Sequence, residues 1–214
     1  MRNIIRDRYL AGVADAEAMF DYSEGDEDAL TGALGQAIST TEPLIYHSNG
    51  NKYSYRIYYR KLRGRGFNAP EKIFGADGIF QLEVNDQSDR CLLKKGLPFQ
   101  AKKLWGKTDK KLVSQSKKIL ETLKQGIVIN YTPSGYKACS AQEVVEMGGS
   151  NKSLLTNKRL QPLGQVLGND FLNCDIGIKG LYFDTAQEIF TEQYVAPSNI
   201  FHVIDTSIKK LSEE

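Results

Sequence analysis

The chain has 214 residues, of which 41% are apolar, 25% charged and 10% aromatic, and this composition excludes a disordered or low-complexity protein. No run approaches the roughly 18 consecutive apolar residues that a membrane helix needs, and the N-terminal sequence MRNIIRDRYLAG lacks the apolar core of a signal peptide. The three cysteines are far apart and odd in number, which favours a reducing compartment, so we expect a cytoplasmic protein with no membrane association.

The formal net charge of +2 hides a strong asymmetry along the chain. Residues 1–50 carry a net charge of −6, residues 51–125 carry +11, and residues 126–214 carry −3. A basic segment between two acidic ones is typical of a protein with one surface that faces a polyanion.

Hydrophobic periodicity and turn residues predict a mixed α/β chain. In chain order, the predicted elements are a helix over 27–38, strands over 53–60, 74–84 and 97–104, a helix over 109–125, a strand over 126–131, and a strand followed by a helix within 135–149. The helix over 27–38 follows Asp26 and has acidic residues in its first turn, where they complement the helix dipole.

The pattern changes after residue 150. An apolar strand over 176–183, a helix capped by Asp184 and a strand within 199–208 are predicted there. We expect residues 1–150 to form the core domain and residues 151–214 to form an accessory α/β segment that packs on this core.

The strand over 53–60 belongs to the basic segment KYSYRIYYRKLRGR, which alternates apolar and aromatic residues with arginines and is followed by a loop rich in Gly, Arg and Lys. No acidic residue falls between Asn51 and Pro70. Because arginine and lysine contact phosphate oxygens, we predict a nucleic-acid contact here. The predicted contact residues, with one lysine from further along the chain, are Arg56, Arg60, Lys61, Arg63, Arg65 and Lys103. The alternative is an edge strand that uses charge to avoid aggregation.

Two neighbouring predicted strands carry the residues that suggest chemistry. Asp77 interrupts an apolar strand, and a lone carboxylate there is costly unless it is paired or binds a metal. On the next strand, Gln100 and Lys102 share one face about 7 Å apart, since they are two residues apart. A divalent cation would take oxygen ligands from Asp77, the Gln100 amide and the Ala101 carbonyl. Lys102 would hold the attacking water or stabilise a phosphate, which predicts metal-assisted phosphodiester hydrolysis.

The motif GADGIF…FQAKK and the order of the predicted elements resemble the PD-(D/E)xK, or restriction-endonuclease-like, nuclease superfamily. The resemblance covers about residues 20–150, and GIVINYTPSGYKACSAQEVVEM is similar to the end of the core in the Mrr-like branch. It implies a restriction-endonuclease-like core, with a central mixed β-sheet flanked by helices.

The resemblance also implies a function, a cofactor and partners. These are a Mg²⁺-dependent DNA endonuclease, with Mn²⁺ as a substitute, that acts in bacterial defence against phage or foreign DNA and often works as a homodimer. The family places a further acid on the first helix, for which Glu27 is the predicted residue and Glu24 the alternative. The implied catalytic residues are Asp77, Gln100, Lys102 and Glu27, and the implied metal ligands are Asp77, Gln100, Ala101 and Glu27.

One departure from the family pattern keeps other functions open. Gln100 stands where a carboxylate is commoner, which removes one negative charge from the site and weakens its hold on a metal. A catalytically weak nucleic-acid-binding module is therefore one alternative, and a subunit that docks a partner protein through residues 151–214 is another.

A further segment, AKKLWGKT at 101–108, is close in sequence to a phosphate-binding loop. Nucleotide hydrolysis is disfavoured because Ala101 replaces the first glycine, and because the later strand ends in Asn130 rather than an aspartate.

Overall fold

The computed structural model describes residues 2–23, 25–62, 75–186, 189–190 and 202–212. The helices are α1 (Arg2–Ala18), α2 (Phe20–Ser23), α3 (Glu27–Ile38), α4 (Lys110–Leu123), α5 (Ala141–Glu146), α6 (Asn151–Thr156) and α7 (Leu163–Gln165), which runs into a π-helix (Val166–Phe171). The strands are β1 (Leu44–Ser48), β2 (Asn51–Lys61), β3 (Gly78–Asn85), β4 (Cys91–Lys103), β5 (Ile127–Thr132), β6 (Gly135–Ser140), β7 (Gln161–Pro162), β8 (Ile178–Lys179), β9 (Phe183–Asp184), β10 (Ile189–Phe190) and β11 (His202–Lys210).

A mixed sheet forms the centre of the molecule, with the strand order β1-β2-β11-β3-β4-β5-β6-β7, and β8 pairs with β4. β11 is parallel to β3 and antiparallel to β2, while β4 is antiparallel to β3 and parallel to β5. In this register Gly78 lies opposite Phe99 on one side and His202 on the other. The N-terminal end of β3 therefore lies beside the C-terminal end of β4.

Helices cover both faces of the sheet, which confirms the predicted fold class of a central mixed sheet flanked by helices. On one face α1 and α3 bury the largest apolar cluster, in which Leu30 and Leu34 pack with Phe99 and Ile129. On the other face α4 and α5 cover a smaller cluster that contains Leu112 and Val128. Successive residues of β4 and β5 point to opposite faces of the sheet, and each face packs against a different layer of helices.

α3 forms where the sequence predicts it, and its two ends explain why. The Asp26 carboxylate accepts a hydrogen bond from Ala29 N at 2.7 Å, which caps the first turn. At the other end, the Arg8 guanidinium from α1 donates to Ile38 O at 2.9 Å and to Ser39 O at 2.6 Å. A cation that binds the last carbonyls of a helix complements its dipole and joins α1 to α3.

The C-terminal part of the chain departs from the expected layout. β11 lies inside the core sheet between β2 and β3, so this strand of the predicted accessory segment 151–214 is integral to the core. The helix expected from Asp184 is wrong at its start, because Phe183–Asp184 pairs antiparallel with Ile189–Phe190.

Lys95 attaches the region after residue 160 to the sheet. Its side chain is fully buried, and its ammonium group donates to Phe171 O and lies 4.3 Å from the centre of the Phe171 ring. Phe171 ends the π-helix, so the Lys95 side chain binds the carbonyl end of that helix. Within the described ranges, no helix is both long and apolar enough to cross a membrane.

The contact between α1 and α3 requires a glycine. A Cβ atom at Gly12 would lie 2.7 Å from Ile38 Cα and 2.8 Å from Ala37 O, both of which are backbone atoms. At Gly32, also within a helix, the nearest described atom to a Cβ would be the Tyr59 hydroxyl at 3.5 Å, an ordinary contact.

We predict that Gly12→Ala lowers the free energy of unfolding by about 1–3 kcal/mol, although alanine is the better helix former. Urea denaturation followed by circular dichroism measures the change. Gly32→Ala is the matched control, and it should be neutral or stabilising by up to about 1 kcal/mol. If both substitutions have the same effect, close helix packing at Gly12 is not the reason for its glycine.

Candidate active site

Asp77 and Gln100 meet at one end of the sheet, because Asp77 directly precedes β3 and Gln100 lies near the end of β4. Asp77 Oδ2 accepts hydrogen bonds from Gln100 Nε2 at 2.5 Å and from Ala101 N at 2.7 Å. Asp77 N in turn donates to Phe99 O at 2.8 Å. The carboxylate is therefore held by both the backbone and a side chain of the neighbouring strand.

The Gln100 amide lies between two oxygen acceptors. Its Nε2 donates to Asp77 Oδ2 and also to Ala101 O at 3.1 Å, while its Oε1 is buried with no hydrogen-bond partner among the described residues. The hydrogen-bond partners of an amide decide which of its two ends carries the oxygen. A half-turn of the amide would direct Oε1 at the point that Nε2 now occupies.

These atoms would suit a divalent cation only with the Gln100 amide turned, because its Nε2 now donates to two of the oxygens. After that half-turn, the Asp77 carboxylate, the Ala101 carbonyl and the Gln100 amide would present three oxygens to one point, and oxygen is the ligand that Mg²⁺ prefers. The same half-turn would place Nε2 where Oε1 is now buried without a partner, a cost that a bound cation would have to offset. In the part of the chain that the structure describes, no group of three or more His, Cys, Asp or Glu side chains is arranged to hold a metal. The candidate set thus depends on neutral oxygens.

Glu27 and Lys102 complete the group at this end of the sheet. Glu27 begins α3, and its Oε1 accepts a hydrogen bond from Lys103 N at 3.2 Å. Its Oε2 lies 3.8 Å from Lys102 Nζ, and the Lys102 side chain is only 12% exposed. The predicted acid on the first helix therefore contacts the strand that carries Gln100 and Lys102. Glu24, the alternative, lies outside the described residues.

Tyr131 on β5 lies near both carboxylates, a position that sequence reasoning missed. Its hydroxyl is 3.1 Å from Thr31 Oγ1 of α3. Burial raises the pKa of Tyr131 well above its ordinary value, and the charges of Asp77 and Glu27 act in the same direction. The hydroxyl thus stays protonated. Its place in a buried strand is readable from the apolar run at 127–131, but its long-range partners are not.

A second polar group adjoins the first through β11. His202 N donates to Asp77 O at 3.2 Å, and His202 Nε2 lies 2.8 Å from Asp28 Oδ1. His202 Nδ1 lies 2.9 Å from the Tyr59 hydroxyl, and Asp28 also binds Lys61. Burial lowers the pKa of His202 to about 4, although the Asp28 charge acts to raise it. The neutral imidazole therefore donates from Nε2 to Asp28 and accepts at Nδ1 from Tyr59.

The predicted nucleic-acid contacts on β2 have different surroundings. Lys61 lies at the same end of the sheet as Asp77, opposite His202, and is paired with Asp28. Arg60 is exposed and its guanidinium donates to Thr185 Oγ1 at 2.8 Å. Arg56 is exposed but lies five residues before Lys61, about 17 Å further along the strand. Arg63 and Arg65 lie outside the described residues.

A groove of about 800 Å³ opens beside Lys102 and Glu27. It is lined by Glu27 and by residues 102–110, which join β4 to α4 and include the predicted contact Lys103. This is the segment that is close in sequence to a phosphate-binding loop. Its backbone differs from such a loop, because Lys103 N donates to Glu27 Oε1, Leu104 N to Tyr131 O and Trp105 N to Asn130 Oδ1. Amides engaged in this way are not available to a phosphate.

Comparisons of the chain with family models, with curated proteins and with solved structures gave no match. The resemblance to the PD-(D/E)xK superfamily therefore stays a prediction.

The low pKa of His202 predicts how stability depends on pH. Between the ordinary value of 6.5 and about 4, the unfolded chain binds a proton that the folded chain does not. The neutral His202 therefore makes its full contribution to the free energy of unfolding above pH 6.5. Up to about 3 kcal/mol of this free energy is lost as the pH falls from 6.5 to about 4.

We expect His202→Gln to flatten the loss of unfolding free energy between pH 6.5 and 4, measured by urea denaturation at a series of pH values. His47→Gln is the control, because His47 is exposed on β1 and is the other histidine of the chain. Parallel pH profiles for wild type and His202→Gln would contradict a buried neutral imidazole.

Proposed function

We propose that this protein is a metal-dependent nuclease that hydrolyses phosphodiester bonds in DNA, in the setting of bacterial defence against foreign DNA. The observation that carries the proposal is the meeting of Asp77, Gln100 and the Ala101 carbonyl beside Lys102 and Glu27 at one end of the sheet. In sequence these groups come from three separate elements, and carboxylate, carbonyl and lysine are the groups that metal-assisted hydrolysis uses.

Each residue of this group has a proposed role. Asp77, Gln100 and Ala101 would hold Mg²⁺ or Mn²⁺ through oxygen atoms, with Glu27 as a further carboxylate. A bound cation supplies Lewis-acid polarisation of a phosphoryl oxygen. Lys102 orients the attacking water or stabilises negative charge on the phosphate, and its ammonium group is held near Glu27 Oε2 for either task. Tyr131 has no proposed role, because its hydroxyl is fully buried and lies 3.1 Å from Thr31 Oγ1.

The neutral Gln100 favours a second candidate function, a nucleic-acid-binding module with a weak catalytic site. In the present arrangement its amide donates to both Asp77 and Ala101, so it already satisfies two of the oxygens that a cation would bind. A cation must compete with these two hydrogen bonds. Salt-sensitive binding of DNA without metal-dependent cleavage would favour this function over the nuclease.

Cleavage of supercoiled and linear DNA in Mg²⁺, Mn²⁺ or EDTA tests the nuclease. We expect metal-dependent cleavage by the wild type and a loss of at least about 100-fold in Lys102→Ala and in Asp77→Asn. The asparagine side chain in the second variant would retain an acceptor for Ala101 N, so the fold should persist, which thermal melting checks.

Lys117→Ala and Asp89→Asn are the matched controls, since both residues are exposed and lie outside the site. Cleavage that survives in Lys102→Ala and Asp77→Asn would show that the site is wrongly assigned. A folded wild type that cuts in none of the metals would favour the binding module.

A change at position 100 tests the metal site without measuring cleavage. Gln100→Glu places a second carboxylate beside Asp77, and because residue 100 is only 1% exposed, the two charges repel strongly unless one is protonated or a cation lies between them. We therefore expect the variant to melt below the wild type in EDTA and to gain more than the wild type from added Mn²⁺. Gln81→Glu is a control with an equally buried glutamine elsewhere in the sheet. An equal response to Mn²⁺ in wild type and both variants would argue against a cation site at Gln100.

A further inference from the structure

The groove beside the candidate site has an excess of positive charge. Four of its lining residues are lysines, Lys102, Lys103, Lys107 and Lys110, and two are acidic, Glu27 and Asp109. Both acidic side chains are engaged, since Glu27 binds Lys103 N and Asp109 Oδ1 accepts from Leu112 N at 2.9 Å. The net positive charge of the groove therefore faces solvent or a ligand.

Lys107 and Lys110 are the two lysines furthest along the chain from Lys102 in this groove. Both are exposed, and neither makes an ion pair with any residue that the structure describes. Burying unpaired cations would be costly, but exposed ones can contact phosphate oxygens and release counterions when they do so.

The wall that carries these lysines is held in place from several sides. Trp105 N donates to Asn130 Oδ1 at 2.9 Å, and Asn130 Nδ2 donates back to Trp105 O at 3.2 Å. Trp105 Nε1 donates to Gly149 O at 3.2 Å, and Thr108 forms a β-bridge with Ser150. A loop fixed in this way loses little further entropy when it binds a ligand.

The groove also presents an apolar group. Leu104 lines it, is 53% exposed and has φ of 51°, in the left-handed region that a leucine rarely adopts. An exposed leucine beside lysines suits a ligand that combines phosphates with apolar sugar and base surfaces. A free phosphate has no such surface.

We propose that this groove is the path along which the phosphodiester backbone of a DNA strand leaves the candidate active site, with Lys107 and Lys110 as its phosphate contacts. This inference rests on the proposed function and names the surface that takes the substrate. It moves the main phosphate contacts from the predicted β2 arginines to the segment between β4 and α4.

Binding of a fluorescein-labelled 30-base-pair DNA, followed by anisotropy in EDTA at several KCl concentrations, tests the path. We expect Lys107→Ala/Lys110→Ala to weaken binding about ten-fold or more at 0.1 M KCl. The slope of log K against log[KCl] should fall in magnitude by about 2, because each phosphate contact in duplex DNA contributes about 0.9. Lys107→Arg/Lys110→Arg keeps the charge and should retain both affinity and slope.

Lys117→Ala/Lys179→Ala is the matched control, with the same loss of charge from two exposed lysines that do not line the groove. A fall in slope that the control shares would reflect net charge alone and would overturn the groove path. The path is also overturned if Lys107→Ala/Lys110→Ala binds like the wild type.

The same samples separate this inference from the proposed function. Wild type that cleaves DNA with metal, while Lys107→Ala/Lys110→Ala binds normally, would retain the nuclease and reject the groove. Wild type that binds through the groove but never cleaves would reject the nuclease and retain the groove. Wild type that neither binds nor cleaves would overturn both.

Discussion

The Asp77 carboxylate joins the elements that meet at one end of the sheet. Its Oδ2 accepts from the Gln100 side chain and from Ala101 N, and its backbone carbonyl accepts from His202 N. One residue therefore bonds to β4 on one side and to β11 on the other. The backbone ladders on both sides of β3 set the relative positions of the three strands. Hydrogen bonds to a charged acceptor are stronger than those between neutral groups, so the carboxylate holds Asp77 firmly against the end of β4. The candidate chemistry depends on the same contacts, because they bring Gln100 and the Ala101 carbonyl to the carboxylate.

The charges around this end of the sheet are balanced in a particular way. Glu27 and Asp28 lie in the first turn of α3, where the helix dipole favours them, and each contacts a lysine from a strand end, Lys102 or Lys61. The neutral Gln100 beside Asp77 spares the protein the repulsion of two buried carboxylates. A glutamate there would add a negative charge for the proposed cation but would destabilise the metal-free protein, a conflict between stability and function.

β11 is held in the centre of the sheet by polar as well as apolar contacts. Three of its buried residues are polar, and each has a partner on another element: His202 with Tyr59, Asp205 with Tyr58 at 2.6 Å, and Thr206 with Tyr9 at 2.7 Å. A shift of the strand by one residue would exchange its two faces and leave these groups buried without partners. The polar residues thus specify the register of a strand that arrives late in the chain.

Local sequence patterns were sufficient to predict the elements and the faces of the central segment. α3 and α4 follow from their capping aspartates and apolar stripes, because these patterns depend on neighbours close in the chain. The strands β3 and β4 follow from apolar runs, although β3 begins after Asp77 and β4 begins at Cys91, six residues before the predicted strand over 97–104. Several elements were not predicted: α1, β1, α6 and the short strands after residue 160. The signal of α1 was available, because its buried residues Ile5, Tyr9, Val13 and Ala16 recur at helical spacing. Only the folded structure shows which residues from distant parts of the chain contact each other. That β11 enters between β2 and β3, that Tyr131 lies near Asp77 and Glu27, and that His202 binds Asp28 all depend on contacts between residues far apart in the chain. The groove lysines were visible as charge in the sequence, but which of them are already paired and which face solvent depends on the fold. Such pairings arise from the geometry of the assembled sheet and helices, and no periodicity in a single segment encodes them.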